Sequence, residues 1–234
     1  MKTIYFATSN AAKVANANAA LKPFGIVVKQ AKIELAESRA EDPAEIALEK
    51  AKQAYKKFKK PLLVEDSGFF IHALGGFPMT HIKFSLKTLG IDGVLKAMRG
   101  AKDRSCEWRL SLAYVYAPGK TKSFTFVEKG VIASSPRPVN RETMSDYWRL
   151  YVPKMLDAKN TKALSDMSDK EMEKWMAYFS ENNHFLQLGK WLAGRGTNVV
   201  KPVASFRSLA GSLKSRIRLT DDQLNAARTK PNIS

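Results

Sequence analysis

Leu62-Leu63-Val64-Glu65-Asp66-Ser67-Gly68-Phe69-Phe70 is an apolar run interrupted by two adjacent carboxylates and a glycine. The leading apolar residues predict a buried strand over 61–66 that stops at the acids. A strand ending this way sets carboxylates at its carboxyl edge, where open α/β sheets build their sites. Neighbouring carboxylates repel each other, and a cation relieves the repulsion. Mg²⁺ suits such a place, being held by one or two carboxylates plus substrate phosphates. The plainer alternative is a solvated Glu65 and an Asp66 that caps a turn.

The start of the chain adds an anion site. Lys2–Ala7 is a short β-prone run, followed by Thr8-Ser9-Asn10 and the alanine-rich stretch Ala11–Leu21. The second part predicts a helix with Ser9 or Asn10 at its N-cap. Backbone N–H groups and the positive dipole end then face a ligand, and Lys13 adds a full charge. An anion site and a carboxylate pair together suggest a metal–polyphosphate substrate.

Several motifs now make the chain recognisable. Thr8-Ser9-Asn10-x-x-Lys13, Val64-Glu65-Asp66-Ser67-Gly68, Ala73-Leu74-Gly75-Gly76-Phe77-Pro78 and Ile82-Lys83-Phe84 occur in that order. The chain resembles the inosine triphosphate pyrophosphatase family over residues 1–132, weakly over 133–192, and not beyond. The resemblance implies a two-lobed α/β fold with a central mixed sheet and a cleft between the lobes. It also implies Mg²⁺-dependent cleavage of a nucleoside triphosphate between the α and β phosphates, with Mn²⁺ as an alternative ion. Thr8, Ser9, Asn10 and Lys13 would grip the phosphates, with Ser67 and Gly68 beside them. Glu37 and Asp66 would hold the metal or position water, with Asp66 as the general base. Glu65 is either a further metal ligand or a hydrogen-bond orienter. Lys50 and Lys83 would neutralise developing charge, since phosphoryl-type transfer needs mostly positioning and charge stabilisation.

The second half departs from the family where the base is read. The family's G-(F/Y)-G-(W/Y)-D-P-x-F-x-P falls on Thr143–Pro153, where Trp148 replaces the Asp and Arg149 the Pro. Tyr147 keeps its aromatic place. Ser180 is the match for the serine of an S-H-R motif, and Glu181 and Asn182 then replace its two donors. A pocket built on hydrogen bonds rejects a mismatched partner strongly, so base preference is expected to differ from inosine or xanthosine. Tyr147, Trp148, Trp175, Tyr178 and Phe179 are stacking candidates, although each ring alone reads as core.

Composition bounds the rest. A 234-residue chain with 44% hydrophobic residues can bury one substantial core or two lobes of one. No apolar run reaches the roughly 18 residues that span a bilayer. The first residues do not form a signal peptide, and a cytoplasmic location is expected. Cys106 is the single cysteine, and His72, His81 and His184 are too scattered for a zinc pattern. The net charge of +17 attracts polyanions. Gly189–Ser234 holds nine Lys/Arg against two Asp. The expected division is therefore a catalytic domain over 1–192 and a basic extension over 193–234, with nucleic acid as a partner that the tail could touch. The resemblance also implies a homodimer. A non-catalytic nucleotide or nucleic-acid binder is the alternative function. The predicted elements are strands at 3–7, 26–32, 61–66, 105–116 and 122–132, and helices at 11–22, 43–59, 91–99 and 168–192, with a short helix within 75–90.

Overall fold

In the computed structural model, residues 2–36, 38, 40–155 and 161–194 are described. Glu37, Arg39 and the basic extension from 195 onward lie outside the described residues. Strand β1 (Lys2–Ala7) leads through a polar turn into helix α1 (Ala11–Leu21), and β2 (Ile26–Ala31) returns beside β1. Helix α2 (Pro43–Phe58) precedes β3 (Leu62–Ile71) and the two-residue β4 (Pro78–Met79). Helices α3 (Ile82–Thr88) and α4 (Gly90–Ala97) follow, then the long hairpin β5 (Ser105–Ala117) and β6 (Lys120–Ile132). The last elements are β7 (Tyr151–Pro153), α5 (Asp169–Asn182) and α6 (His184–Gly194).

One mixed sheet of seven strands joins them in the order β2-β1-β3-β5-β6-β7, with β4 further along the same edge of β3 that β1 occupies. β1 runs parallel to β2 and β3, and the remaining pairs are antiparallel. The sheet is coated on both faces near its β1 end. Ile4, Phe6, Leu63, Leu112 and Tyr114 pack against α1 and α6, and Leu62, Val64, Ala113 and Val115 against the alanine face of α2. A second core gathers Phe69, Ile71, Cys106, Tyr147, Tyr151 and Met172 at the far end. These are the two lobes.

Two expectations need correction. β3 does not stop at the acids. It runs unbroken to Ile71, and all ten of its residues pair with β5. The hydrogen-bond ladder with a full-length antiparallel neighbour outweighs the low strand propensity of Glu, Asp and Gly. The helix expected over 168–192 is two helices. Asn183 between them is extended (φ −66°, ψ 165°), and its Oδ1 accepts the Leu186 N–H at 3.0 Å, opening α6 as a new helix.

Candidate active site

β3 carries the site, and its edge explains why. β1 pairs with β3 only at Leu62 and Leu63, and β4 only at Phe69 and Phe70. Residues 64–68 therefore have no strand partner on that edge among the described pairings. This notch lies just past the carboxyl end of β1, where Thr8-Ser9-Asn10 turns into α1. The chain reverses there because Asn10 caps the helix. Its side chain accepts the N–H groups of Ala12 (2.9 Å) and Lys13 (3.4 Å), while Thr8 Oγ1 accepts the Asn10 N–H (3.1 Å). Two of the helix N–H groups expected to face a ligand are thus already used, and the Lys13 side chain is the main cationic feature.

Two lysine–carboxylate pairs flank the notch. Lys13 Nζ lies 3.8 Å from Glu65 Oε1, and Lys50 Nζ lies 3.2 Å from Asp66 Oδ2. Consecutive strand residues point to opposite faces. Glu65 thus joins α1 on one face and Asp66 joins α2 on the other, within one residue of each other at an uncovered edge. A ligand entering at that edge can meet both faces. Asp66 Oδ1 also accepts the Ser67 N–H at 2.9 Å. Gly68 is required by packing, because a Cβ there would sit 2.7 Å from the Phe70 ring and 3.0 Å from the Met79 carbonyl oxygen.

The structure brings in a residue that sequence reading passed over. His184, wholly buried at the start of α6, places Nε2 3.7 Å from Glu65 Oε1. That approach is longer than a hydrogen bond. Both ring nitrogens are buried without a hydrogen-bond partner. Burial alone would raise the Glu65 carboxyl, but His184 and Lys13 outweigh it and hold the group below the usual carboxylate range. The signal was available in Asn183-His184 heading the apolar run Phe185-Leu186-Gln187-Leu188. A capping residue followed by His fits the S-H-R register better there than at Ser180-Glu181-Asn182. The arginine position then falls on buried Phe185.

The other expected residues are placed as follows. Ser180 is on the last turn of α5, and its hydroxyl donates to the Ala177 carbonyl at 2.8 Å. Tyr147 is wholly buried, with its hydroxyl 3.0 Å from Ser85 Oγ and its ring 4.7 Å from that of Phe69. It is a core ring. Trp148 is half-buried and meets Trp175 edge-on at 5.8 Å, and Trp175 stacks on Phe179 at 5.6 Å. Lys83 is exposed on the first turn of α3, and Ser9 is exposed in the first turn of chain. Glu37 lies outside the described residues. Among the described residues no three His, Cys, Asp or Glu converge as a metal cluster. Glu65 is faced by Lys13 and His184 on one side of the strand, and Asp66 by Lys50 on the other.

Residues 4–178 match the model of the Ham1 family. The chain belongs to that family. It is 39% identical over 137 residues to a dITP/XTP pyrophosphatase of Ignicoccus hospitalis, spanning 58% of this chain and 73% of the relative. It is 30% identical over 192 residues to the dITP/XTP pyrophosphatase of Pyrobaculum aerophilum, spanning 82% of this chain and 97% of that protein. Among solved structures, a HAM1 protein from Coxiella burnetii superposes with a TM-score of 0.68 at 23% identity, covering 83% of this chain and all of that one. The Staphylococcus aureus Ham1 protein gives 0.66 at 19% identity, with the same coverage. These neighbours bear out the two-lobed α/β fold.

Proposed function

We propose that this Ham1-family chain is a nucleoside triphosphate pyrophosphatase, converting a (d)NTP and water to (d)NMP and pyrophosphate. One observation supports it above the others. Lys13–Glu65 and Lys50–Asp66 stand side by side at the uncovered edge of β3, beside the turn that leads into α1. Two ammonium groups there suit a triphosphate, and a half-buried carboxylate suits a divalent ion.

In this reading the Thr8–Asn10 turn, Lys13, Lys50 and Lys83 gather the phosphate chain. Glu65, pinned by His184, fixes the direction of the Lys13 ammonium. Asp66, with Glu37, would hold Mg²⁺ or Mn²⁺, which suits a site of one or two carboxylates plus phosphates. The ion, when bound, neutralises phosphate charge. Asp66 takes a proton from the attacking water as the water oxygen bonds to the α-phosphorus. The bond from that phosphorus to the α–β bridging oxygen breaks, and pyrophosphate leaves on that oxygen with its charge met by lysines. The chain has Trp148 and Phe185 where the family pattern has Asp and Arg, which supports a base preference changed from inosine and xanthosine.

The test is a pyrophosphate-release screen over standard, deaminated and modified (d)NTPs with Mg²⁺ and with Mn²⁺. Turnover of at least one nucleotide is expected, abolished by Asp66→Asn and by Lys13→Ala with circular dichroism unchanged. A complete panel without turnover rejects the reading. Light scattering tests the homodimer, and salt-dependent retention on DNA or RNA tests contact through 193–234. No helix among the described residues is long and apolar enough to cross a membrane.

A further inference from the structure

Lys13 is the ammonium that meets Glu65 at the notch, yet the part of α1 that carries it is weakly anchored. The fully buried side chains of α1 are Ala17, Ala20 and Leu21, all past its middle. Residues 11–16 contribute none. Alanines present a smooth surface, so burial alone lets the helix slide or roll on the sheet. Setting one ammonium against one carboxylate needs a directional contact.

Asn18 supplies that contact. β2 is the outer strand of the sheet, and an outer strand presents backbone groups that no neighbouring strand takes. At Val28 one side chain takes both. Asn18 Oδ1 accepts the Val28 N–H at 2.8 Å, and Asn18 Nδ2 donates to the Val28 carbonyl at 2.8 Å. Nδ2 also donates to the Val14 carbonyl at 3.1 Å. A primary amide has two N–H donors, so both are used. Val28 is only 3% exposed, which leaves little room for water to replace these bonds. Asparagine is a poorer helix former than the alanines around it, and this tie is what the residue gives in exchange. It joins the β2 backbone to a carbonyl one residue beyond Lys13. Lys13 itself lies about 7.5 Å back along the helix axis.

We propose that Asn18 is a positioning residue for phosphate binding: it locks α1 to the edge of β2 so that Lys13 reaches the phosphate chain at the β3 notch. This rests on the nucleotide pyrophosphatase reading of the same site. Asn18 touches no substrate and acts through Lys13. Sliding α1 along β2, or rolling it, breaks the paired bonds to Val28 and carries the long Lys13 side chain away from Glu65. An ammonium so displaced loses the charge-assisted bonds that a phosphate oxygen offers.

The test uses inorganic tripolyphosphate with Mg²⁺, which presents a phosphate chain without a base. It is titrated calorimetrically against the full chain as wild type, Asn18→Ala, Lys13→Ala, the double variant and Ala20→Gly. Circular dichroism and the thermal midpoint check folding. Alanine at 18 favours the helix itself, so that variant loses the tie alone, whereas glycine at 20 weakens the helix and leaves the tie. Asn18→Ala should weaken binding about tenfold, the loss expected for a charged hydrogen bond. In the Lys13→Ala background the same change should cost less than about twofold, because contacting effects are not additive. Ala20→Gly should lower the midpoint and leave binding unchanged. Asn18→Ser, whose hydroxyl turns back to the Val14 carbonyl, repeats the cycle if Asn18→Ala does not fold. An equal loss with and without Lys13 overturns the proposal, as does an equal loss in Ala20→Gly or a wild type that does not bind tripolyphosphate. Coupling of Asn18 to Lys13 without turnover of any (d)NTP keeps this inference and removes the pyrophosphatase reading. Turnover with a KM that Asn18→Ala leaves unchanged does the reverse.

Discussion

Lys13 on α1 and Glu65 on β3 face each other across 3.8 Å, and the buried ring of His184 presses on the same carboxylate oxygen. The Glu65 carboxyl therefore lies below its ordinary range in the folded chain, despite the burial that opposes this. A lowered carboxyl contributes stability above the unfolded pKa and loses it as pH falls through the folded one. Glu65→Gln should cost about 1–3 kcal/mol at pH 7, since it leaves the Lys13 ammonium without its counter-charge. The difference from wild type should shrink as pH falls through the lowered folded pKa and the wild-type carboxyl takes up its proton. Urea denaturation at pH 7 and pH 3 measures it, and a pH-independent difference would contradict the assignment.

Glu128 behaves in the opposite sense. Burial among aromatic rings raises its carboxyl from 4.5 to about 7, although the Trp175 bond pulls the other way. A raised carboxyl carries no penalty below the unfolded pKa. The penalty grows between about 4.5 and 7 and is complete above that window. Glu128→Gln removes the titration but keeps an acceptor for the Trp175 N–H. The variant should therefore gain on wild type by up to roughly 3 kcal/mol between pH 4.5 and pH 8. Parallel stability curves over that range would show that the carboxylate is better solvated than its burial implies.

How much of this was legible in the sequence depends on how local each signal was. Asn10 capping α1 is decided within four residues, and it is found where cap chemistry puts it. The acid pair was read as a strand end because Glu, Asp and Gly are poor strand formers. The pairing partner that overrides them, β5, lies about forty residues away. The same limit hid the split between Glu65 and Asp66, which follows from pleat parity in a strand expected to have ended. His184 was counted among scattered histidines because its partner Glu65 is remote in sequence. The break at Asn183 that orients it looked like helix interior in a stretch of steady helical periodicity. Trp148 and Trp175 meet only after the lobe closes, so nothing local announced their contact.

Helix α5 begins with a reciprocal cap. The Ser168 side chain accepts the Glu171 N–H at 3.4 Å, and Glu171 Oε2 accepts the Ser168 N–H at 2.8 Å. Lys162 adds an ion pair at 2.9 Å, and Glu171 is drawn down to about 2, first by the Ser168 hydroxyl. Ser168→Ala removes the hydroxyl half of this arrangement and should cost about 1 kcal/mol at pH 7. Because α5 carries Trp175, whose N–H donates to Glu128, amide exchange in 169–182 should rise more than in α1. Uniform exchange across both helices would mean that the cap does not govern α5.

Gly189 lies inside α6, where alanine ordinarily stabilises a helix by roughly 1 kcal/mol relative to glycine. Here the neighbour reverses the sign. A Cβ at 189 would stand 2.4 Å from Cδ2 and Cε2 of the Phe24 ring, and Phe24 is 1% exposed. That ring is buried in the same core as Leu21, Ile26 and Leu188, which limits its room to swing. Overpacking of this kind typically costs 1–3 kcal/mol, which exceeds the propensity gain. Gly189→Ala should therefore lower the denaturation midpoint, and pairing it with Phe24→Leu should recover part of the loss. The close approach also sets the position of α6 and so of His184 at its first residue. Gly189→Ala should accordingly lower pyrophosphate release at temperatures where the chain is still folded, and an unchanged rate would show that His184 holds its place independently of this contact.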